Sequence, residues 1–311
     1  MNQKLKNQRC LIAIISLVVA GAATAQAQSD FVLMPPLRGG TGTNQAPLVR
    51  ARLDTSYTAA GQAKYQGANR GDSDAFSVGL GVSGVVPIND RWMVPLDLLS
   101  QNDWLESVPG TPVPTHLNTL GLGAGLGYRA SEDWLVVGRI SPSLYRFSSV
   151  DSDDVGWAGG VTALWRYSST FQFMFGFLAA PDSDVPVLPM VGANWRINDQ
   201  WDLRVMFPQP RLTYVADDHW RLYAGADITG TTFRTTDTLG TELGQSRYND
   251  ALGTYRDVRL GAGVGYQFCR NLRAEVEGGY SVWRQIDYKD IDQTVKFDPA
   301  PYVRVGVNVS F

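Results

Sequence analysis

The sequence predicts an all-β protein: an up-and-down antiparallel transmembrane β-barrel of about fourteen strands, with twelve as the alternative. Three observations carry that prediction. Apolar and polar residues alternate with a period of two, as in Val303, Val305, Val307, Val309 and Phe311 against Tyr302, Arg304, Gly306, Asn308 and Ser310; period two is a strand with unlike faces. Tight polar turns alternate with longer polar connections, the rhythm of short periplasmic turns and long outer loops. Large aromatic residues gather beside the tight turns, where an amphipathic ring fits between headgroups and hydrocarbon. Closure follows from lipid itself, because an open sheet edge would leave backbone polar groups unsatisfied in hydrocarbon.

Taken from the start, Lys4, Lys6 and Arg9 precede an apolar run from Cys10 to Ala23, and Ala25-Gln-Ala27 supplies small residues for cleavage. Residues 1–27 read as a secretory signal peptide, with cleavage after Ala25 as the near alternative; the run is too short to span a bilayer as a helix. Cys10 sits at the front of that run, which disfavours acylation at the cleavage point. Removing three basic residues takes the balance from 27 basic against 30 acidic (−3) to 24 against 30 (−6). That argues against a nucleic-acid partner. Cys269 is then the one remaining cysteine, so no intramolecular disulfide forms. No other long apolar run exists, which excludes a helical membrane protein. Residues 28–47 have Pro and Gly but no period, and read as an extended N-terminal segment able to plug a lumen.

From residue 48 to 311 the chain reads as the barrel. Six tight connections share one pattern, an apolar residue, a short polar turn and a large apolar residue: Ile88-NDR-Trp92, Tyr128-RASED-Trp134, Tyr167-SST-Phe171, Ile197-NDQ-Trp201, Ala216-DDH-Trp220 and Phe268-CRN-Leu272. Asn, Asp and Ser suit such turns because their side chains bond the local backbone. Between them, 61–73, 102–114, 148–154, 181–185, 235–254 and 286–299 read as outer loops. The strands expected between these connections number fourteen, an even count that leaves both ends in the periplasm. Two of them, 200–207 and 210–216, fall short of the roughly 9–11 residues a tilted strand needs to cross hydrocarbon. A low wall or a twelve-stranded count follows.

Parity then assigns faces. Phe171, Phe173, Phe175 and Phe177 share the lipid face, as do Trp201, Leu203, Val205 and Phe207. Trp92, Trp134, Trp165, Tyr167, Phe171, Trp201, Trp220 and Tyr266 make an interfacial girdle at the tight-turn end. The opposite face carries Arg50, Arg52, Arg139, Arg166, Arg196, Arg204, Arg221, Arg259, Arg273 and Arg304 with Asp54, Asp97, Asp202, Asp227, Asp257, Glu275 and Glu277. Beyond residue 27 there are 21 Arg and 3 Lys. Guanidinium stays charged and grips carboxylate with two bonds, which suits an ion-pair ladder or a polar pore.

The signal peptide, the NDRW-like turns, the glycine-alternating strands and the aromatic end resemble bacterial outer-membrane β-barrels. The stretch PMVGANWRINDQWDLRVMFPQPRLTY (189–214) further resembles a family of such barrels labelled a domain of unknown function. The resemblance implies outer-membrane location among lipids and lipopolysaccharide. It also implies insertion by the barrel-assembly machinery, with Tyr302, Val303, Val305, Val307, Val309 and Phe311 as its signal. It brings no catalytic residues. The strand count also resembles that of fatty-acid and oligosaccharide channels, whose particular motifs are absent here.

Other motifs have bland readings. Gly79-Leu-Gly81-Val-Ser-Gly84 fits a dinucleotide fingerprint, but that fingerprint opens a helix and these glycines sit at period two; they read as room for long luminal side chains. His116 with Asp103 is the best catalytic pair on offer, and it lacks a nucleophile at useful spacing. Asp151, Asp153 and Asp154 miss the Ca²⁺-loop pattern, and Arg70-Gly71-Asp72 is a chance tripeptide. The expected function is a passive channel for an unidentified small polar or amphipathic solute, without cofactor, metal or catalysis. The alternatives are a closed structural or surface-interaction barrel and a lipid-modifying enzyme.

Overall fold

The computed structural model describes residues 48–147, 151–182 and 186–311; the expected signal peptide and the segment 28–47 lie outside them. Fifteen strands follow in chain order: β1 (Leu48–Tyr65), β2 (Ala68–Pro87), β3 (Trp92–Leu105), β4 (His116–Arg129), β5 (Trp134–Leu144), β6 (Val155–Arg166), β7 (Phe171–Ala179), β8 (Val187–Arg196), β9 (Trp201–Met206), β10 (Arg211–Val215), β11 (Trp220–Arg234), β12 (Leu252–Cys269), β13 (Leu272–Tyr288), β14 (Gln293–Phe297) and β15 (Ala300–Ser310). Neighbours pair antiparallel, and β15 closes the ring on β1 from Arg50↔Ser310 to Thr58↔Tyr302. Short β14 lies between β13 and β1, as β15 does, and continues the same stave past Asp298 and Pro299. The barrel has fourteen staves. The twelve-strand alternative falls, because β9 and β10 each pair on both sides.

Five tight turns have one construction. A side-chain oxygen at the turn's first polar position accepts two backbone N–H bonds: Asn89 from Arg91 and Trp92, Ser131 from Asp133 and Trp134, Ser168 from Thr170 and Phe171, Asn198 from Gln200 and Trp201, Asp217 from His219 and Trp220. The residue before the turn closes it by donating to the aromatic carbonyl, as Ile88 N–H does to Trp92 at 2.9 Å. The short Asn, Ser or Asp side chain replaces a backbone acceptor, and the ring after it is delivered to the same height each time.

Two expected outer loops are strand instead. Residues 61–73 belong to the β1–β2 hairpin, which turns at Gln66 and Gly67 with φ of 51° and 75°, the two positive angles of a type I′ turn. Most of 286–299 is likewise strand, in β13 and β14. Above the lipid the outer face no longer has to be apolar, so the alternation that marks a strand in sequence fades there while the pairing continues.

A second aromatic row lies at the upper end of the apolar outer band. Tyr57, Phe76, Trp104 and His116 are register partners across β1, β2, β3 and β4, and Trp104 stacks on His116 at 5.0 Å. Trp92 of the lower girdle and Trp104 lie on one strand. At about 3.3 Å per residue and a tilt of about 40°, their twelve-residue separation spans about 30 Å, close to a bilayer's hydrocarbon thickness. Between the rows the outward side chains are exposed and apolar, among them Leu80, Leu98, Leu122, Ile140, Val161, Phe177 and Leu260. The lower girdle residues Trp92, Trp134, Trp201 and Trp220 pair with Tyr128, Trp165, Tyr214 and Tyr266 at 4.6–5.7 Å between ring centres.

Candidate functional site

The lumen is layered. At its outer end the barrel is filled. Tyr65, Phe233, Tyr248, Tyr255, Ile286, Tyr288, Val295 and Phe297 form one buried apolar cluster with Val108 and Val113 of the β3–β4 connection. Three of its four hydroxyls find partners inside it, Tyr65 with Tyr248 at 2.7 Å and Tyr288 donating to Pro112 O at 2.5 Å, while that of Tyr255 is buried without one. The stave extensions above the membrane supply most of this cluster. They therefore act as walls of a plug.

Below the plug runs a belt of ion pairs. By strand alternation the seventeen predicted luminal charges occupy the inner face. Arg139 bonds Asp97, Arg52 bonds Asp54, Arg259 lies 2.8 Å from Asp257, and Arg273 lies 3.1 Å from Glu275. Arg304 reaches from β15 to Asp227 on β11 at 3.0 Å and to Glu277 on β13 at 2.8 Å. Arg50, Arg166, Arg196, Asp202, Arg204 and Arg221 stand nearer the tight turns and are half-buried or exposed. Arg211 was not among the predicted residues, yet it joins the belt, 3.4 Å from Glu275 and 4.0 Å over the Tyr223 ring. Parity on the short β10 would have placed it. Gly123 is the seat of the Arg139–Asp97 pair, since a Cβ there would coincide with both side chains.

One part of the wall is low. β8 pairs with β9 only as far as Gly192↔Met206. On the other side, Pro210 O accepts from Ala226 N–H at 3.0 Å and Pro208 O from Ile228 N–H at 3.1 Å. Above those bonds, residues 187–191 of β8 and 229–234 of β11 have no described strand paired on the β9–β10 side. From Trp201 to Met206 the wall rises about 13 Å by the same rise and tilt, under half the lipid band. An unpaired sheet edge at hydrocarbon depth is tolerated only where it lines a cavity or is buried in protein.

The upper half of β11 satisfies its freed edge by turning into the lumen. Thr231 Oγ1 donates to Asp103 at 2.5 Å, Thr119 Oγ1 donates to Thr232 O at 2.5 Å, and Arg234 N–H donates to Tyr145 O at 3.2 Å. These partners belong to β3, β4 and the end of β5, across the barrel from β11's own neighbours. A narrower ring closes above the belt, running from β11 through β15 and β1 to β5, and it encloses the plug. Strands β6 to β8 stand outside that ring. Their inner face is apolar: Leu178 and Leu188 pack with Ala158, Met190 and Phe207, and Leu164, Met174 and Met206 pack with Leu135. Phe207 was expected on the lipid face. It packs instead against Leu178, Leu188 and Ile228, because β9 ends at Met206 and alternation stops with it.

Between the two regions lies a cavity that opens to solvent. Its lining is rich in hydroxyls, from Ser141, Ser143, Thr119, Thr229 and Thr231, with Arg52, Asp54, Arg259, Arg304 and Asp227 at the belt side. Ala158 belongs both to this lining and to the apolar cluster behind the low wall.

The other candidates are not assembled. His116 is on the outer face against Trp104, while Asp103 points inward to Thr231 and Gln101; they sit on opposite sides of the sheet. Asp151 and Asp154 cap a short 3₁₀ turn, and Asp154 is buried between Arg146 and Arg234. Gly79, Gly81 and Gly84, read as strand glycines rather than a fingerprint, lie within β2. Among the described residues no cluster of acidic, His or Cys side chains could hold a metal ion.

Residues 108–311 match the model of a family described as a domain of unknown function, DUF6268. The chain belongs to the DUF6268 family. The match takes in β4 through β15, the low wall and the closing strand. Among solved structures this DUF6268 chain is similar to a TodX monoaromatic hydrocarbon channel mutant (11% identity, 86% of this chain and 90% of that one, TM-score 0.46). It is similar to a Pseudomonas aeruginosa FadL homologue (11%, 85% and 90%, 0.44) and to an outer membrane channel from Pseudomonas putida F1 (11%, 88% and 99%, 0.43). No curated protein matches the chain.

Proposed function

We propose that this DUF6268 protein is an outer-membrane channel for small amphipathic solutes, which cross its wall sideways above β9 and β10. One observation carries the reading: the wall stops in mid-hydrocarbon, and what lies behind the gap is apolar. Leu178, Leu188, Met190 and Phe207 pack into one apolar cluster between the gap and the lumen, a seam that an oily solute enters at lower cost than a polar one. The plug blocks a straight passage from the outer mouth, so the gap is the remaining route on the outer side. The hydroxyl-lined cavity and the ion-pair belt then lead toward the periplasm. The same barrel surface supports contact with outer-membrane lipids and lipopolysaccharide, and the strand Tyr302–Phe311 serves as the signal read by the barrel-assembly machinery. The reading contains no catalytic step, cofactor or metal.

Reconstituted in liposomes, the protein should speed uptake of a small amphipathic dye while showing little ionic conductance in a planar bilayer. Lengthening the β9–β10 hairpin by four residues should bring uptake down to the level of empty vesicles. Uptake unchanged by that extension rejects the sideways route. A second reading, a closed structural barrel, draws on the filled outer end and the matched luminal charges. A deletion strain with normal permeability but a weakened envelope would favour it.

A further inference from the structure

We infer that the cavity between β11 and the strands β4 to β6 is a binding site for an uncharged, hydroxyl-bearing head group, and that it discriminates against carboxylates. The inference rests on the sideways route proposed above and names the class of solute that route admits. Three observations lead to it. The cavity's polar lining away from the belt is mostly hydroxyl, with the neutral amide of Gln101, and these groups both donate and accept, as an alcohol head group also does. Ser141 is 3% exposed and lines the cavity, and its Oγ has no hydrogen-bond partner, so a buried group waits for one. Each arginine that lines the cavity is already matched by a carboxylate: Arg52 by Asp54, Arg304 by Asp227, Arg259 by Asp257.

A carboxylate in that cavity would have to displace one of these pairs or lie buried without a counter-charge, and either is costly. A hydroxyl needs neither. Ala158 joins the cavity to Leu178 and Leu188, so one molecule can place its polar end by Ser141 and its chain behind the low wall. The site therefore fits a single-chain amphiphile with an alcohol or polyol head.

Equilibrium binding to the full chain in phospholipid nanodiscs, with empty nanodiscs as baseline, tests this with dodecanol and dodecanoate at pH 8. Dodecanol should bind at least tenfold more tightly than dodecanoate. The double variant Ser141→Val, Thr229→Val should weaken dodecanol about tenfold and leave dodecanoate unchanged, with the heat-modifiable gel shift of a folded barrel retained. Tighter binding of dodecanoate overturns the head-group assignment, as does dodecanol binding that ignores both hydroxyl deletions. No binding above baseline with dye uptake intact rejects the site but spares the sideways route. Binding kept while the hairpin extension fails to stop uptake does the reverse.

Discussion

The two sides of this barrel solve the same problem differently. Around β11 to β15 and β1 to β5 the interior is filled, with an ion-pair belt under an apolar plug, and staves run well past the membrane. Around β6 to β10 the staves are short, the inner face is apolar and the wall stops at β9 and β10. Both sides keep the alternation that lipid demands. They differ in what stands behind it. A side chain in the filled half is held from several directions, so its loss leaves a hole or an orphaned charge. In the low half it belongs to a cluster of only two or three buried residues, and its loss should cost solute more than stability.

The sharpest way to break this contrast is to cut the belt. Arg304 ties β15 to both Asp227 and Glu277 with side chains 6–7% exposed. Arg304→Met takes the cation from buried Asp227 and leaves Glu277 only Arg211, 3.6 Å away, and losing one member of such a set costs about 3–5 kcal/mol. Urea unfolding in detergent micelles should show that loss. A similar result is expected for Gly123→Val, whose side chain meets the Arg139–Asp97 pair, whereas Gly138→Ala, with open space around its Cβ, should leave stability unchanged. Equal effects at the two glycines would mean that the belt does not hold the wall.

The next comparison sets plug against vestibule. Phe233 is 1% exposed within the outer cluster, and Phe233→Ala should cost about 3–5 kcal/mol. Leu188→Ala, behind the low wall, should cost less, about 2 kcal/mol, at the low end for a buried leucine because the cluster around it is small, yet it should slow dye uptake severalfold. Stability losses of the same size would remove the distinction between a filled half and an open one.

How legible this was in the sequence depended on where lipid enforces a pattern. At the lower girdle the strand boundaries could be read to within a residue or two, because Trp92, Trp134, Trp201 and Trp220 mark the lower ends there and the outward face has to be apolar, whereas an upper end such as that of β3 fell four residues beyond the expected 101. Parity likewise put the belt residues on the inner face. Above the lipid that constraint lapses, so 61–73 and 286–299 read as loops although they are paired strands. The plug was illegible for the same reason: Tyr65, Tyr248 and Phe297 come from stretches that looked like loop, and only long-range pairing brings them together. The low wall was visible as two short segments. That Phe207 turns inward was not, since alternation cannot say where it ends. Nor could the inward lean of β11, which rests on Thr231, Thr232 and Arg234 meeting strands far away in sequence.

The smallest expected effect separates one lower turn from its four relatives. Asn89, Ser131, Ser168 and Asn198 accept their two backbone bonds with neutral oxygens, while Asp217 does so with a carboxylate, at 2.7 Å from both His219 N–H and Trp220 N–H. The backbone donor of Trp220, then that of His219, holds the Asp217 carboxyl below its ordinary value, since both bonds favour the charged form. A depressed folded value means the stabilisation is fully present above the unfolded carboxylate's titration and disappears as pH falls through the folded one. Between pH 6 and the acid range, amide exchange at Trp220 should therefore quicken relative to Trp92 and Trp201 once the intrinsic pH dependence is removed. Asp217→Asn, which keeps an acceptor oxygen in place, should abolish that difference and make the fifth turn behave like Asn89 and Asn198. If Trp220 stays level with the other two in the wild type, the shared turn geometry alone fixes the lower rim and the charge at Asp217 adds nothing to it.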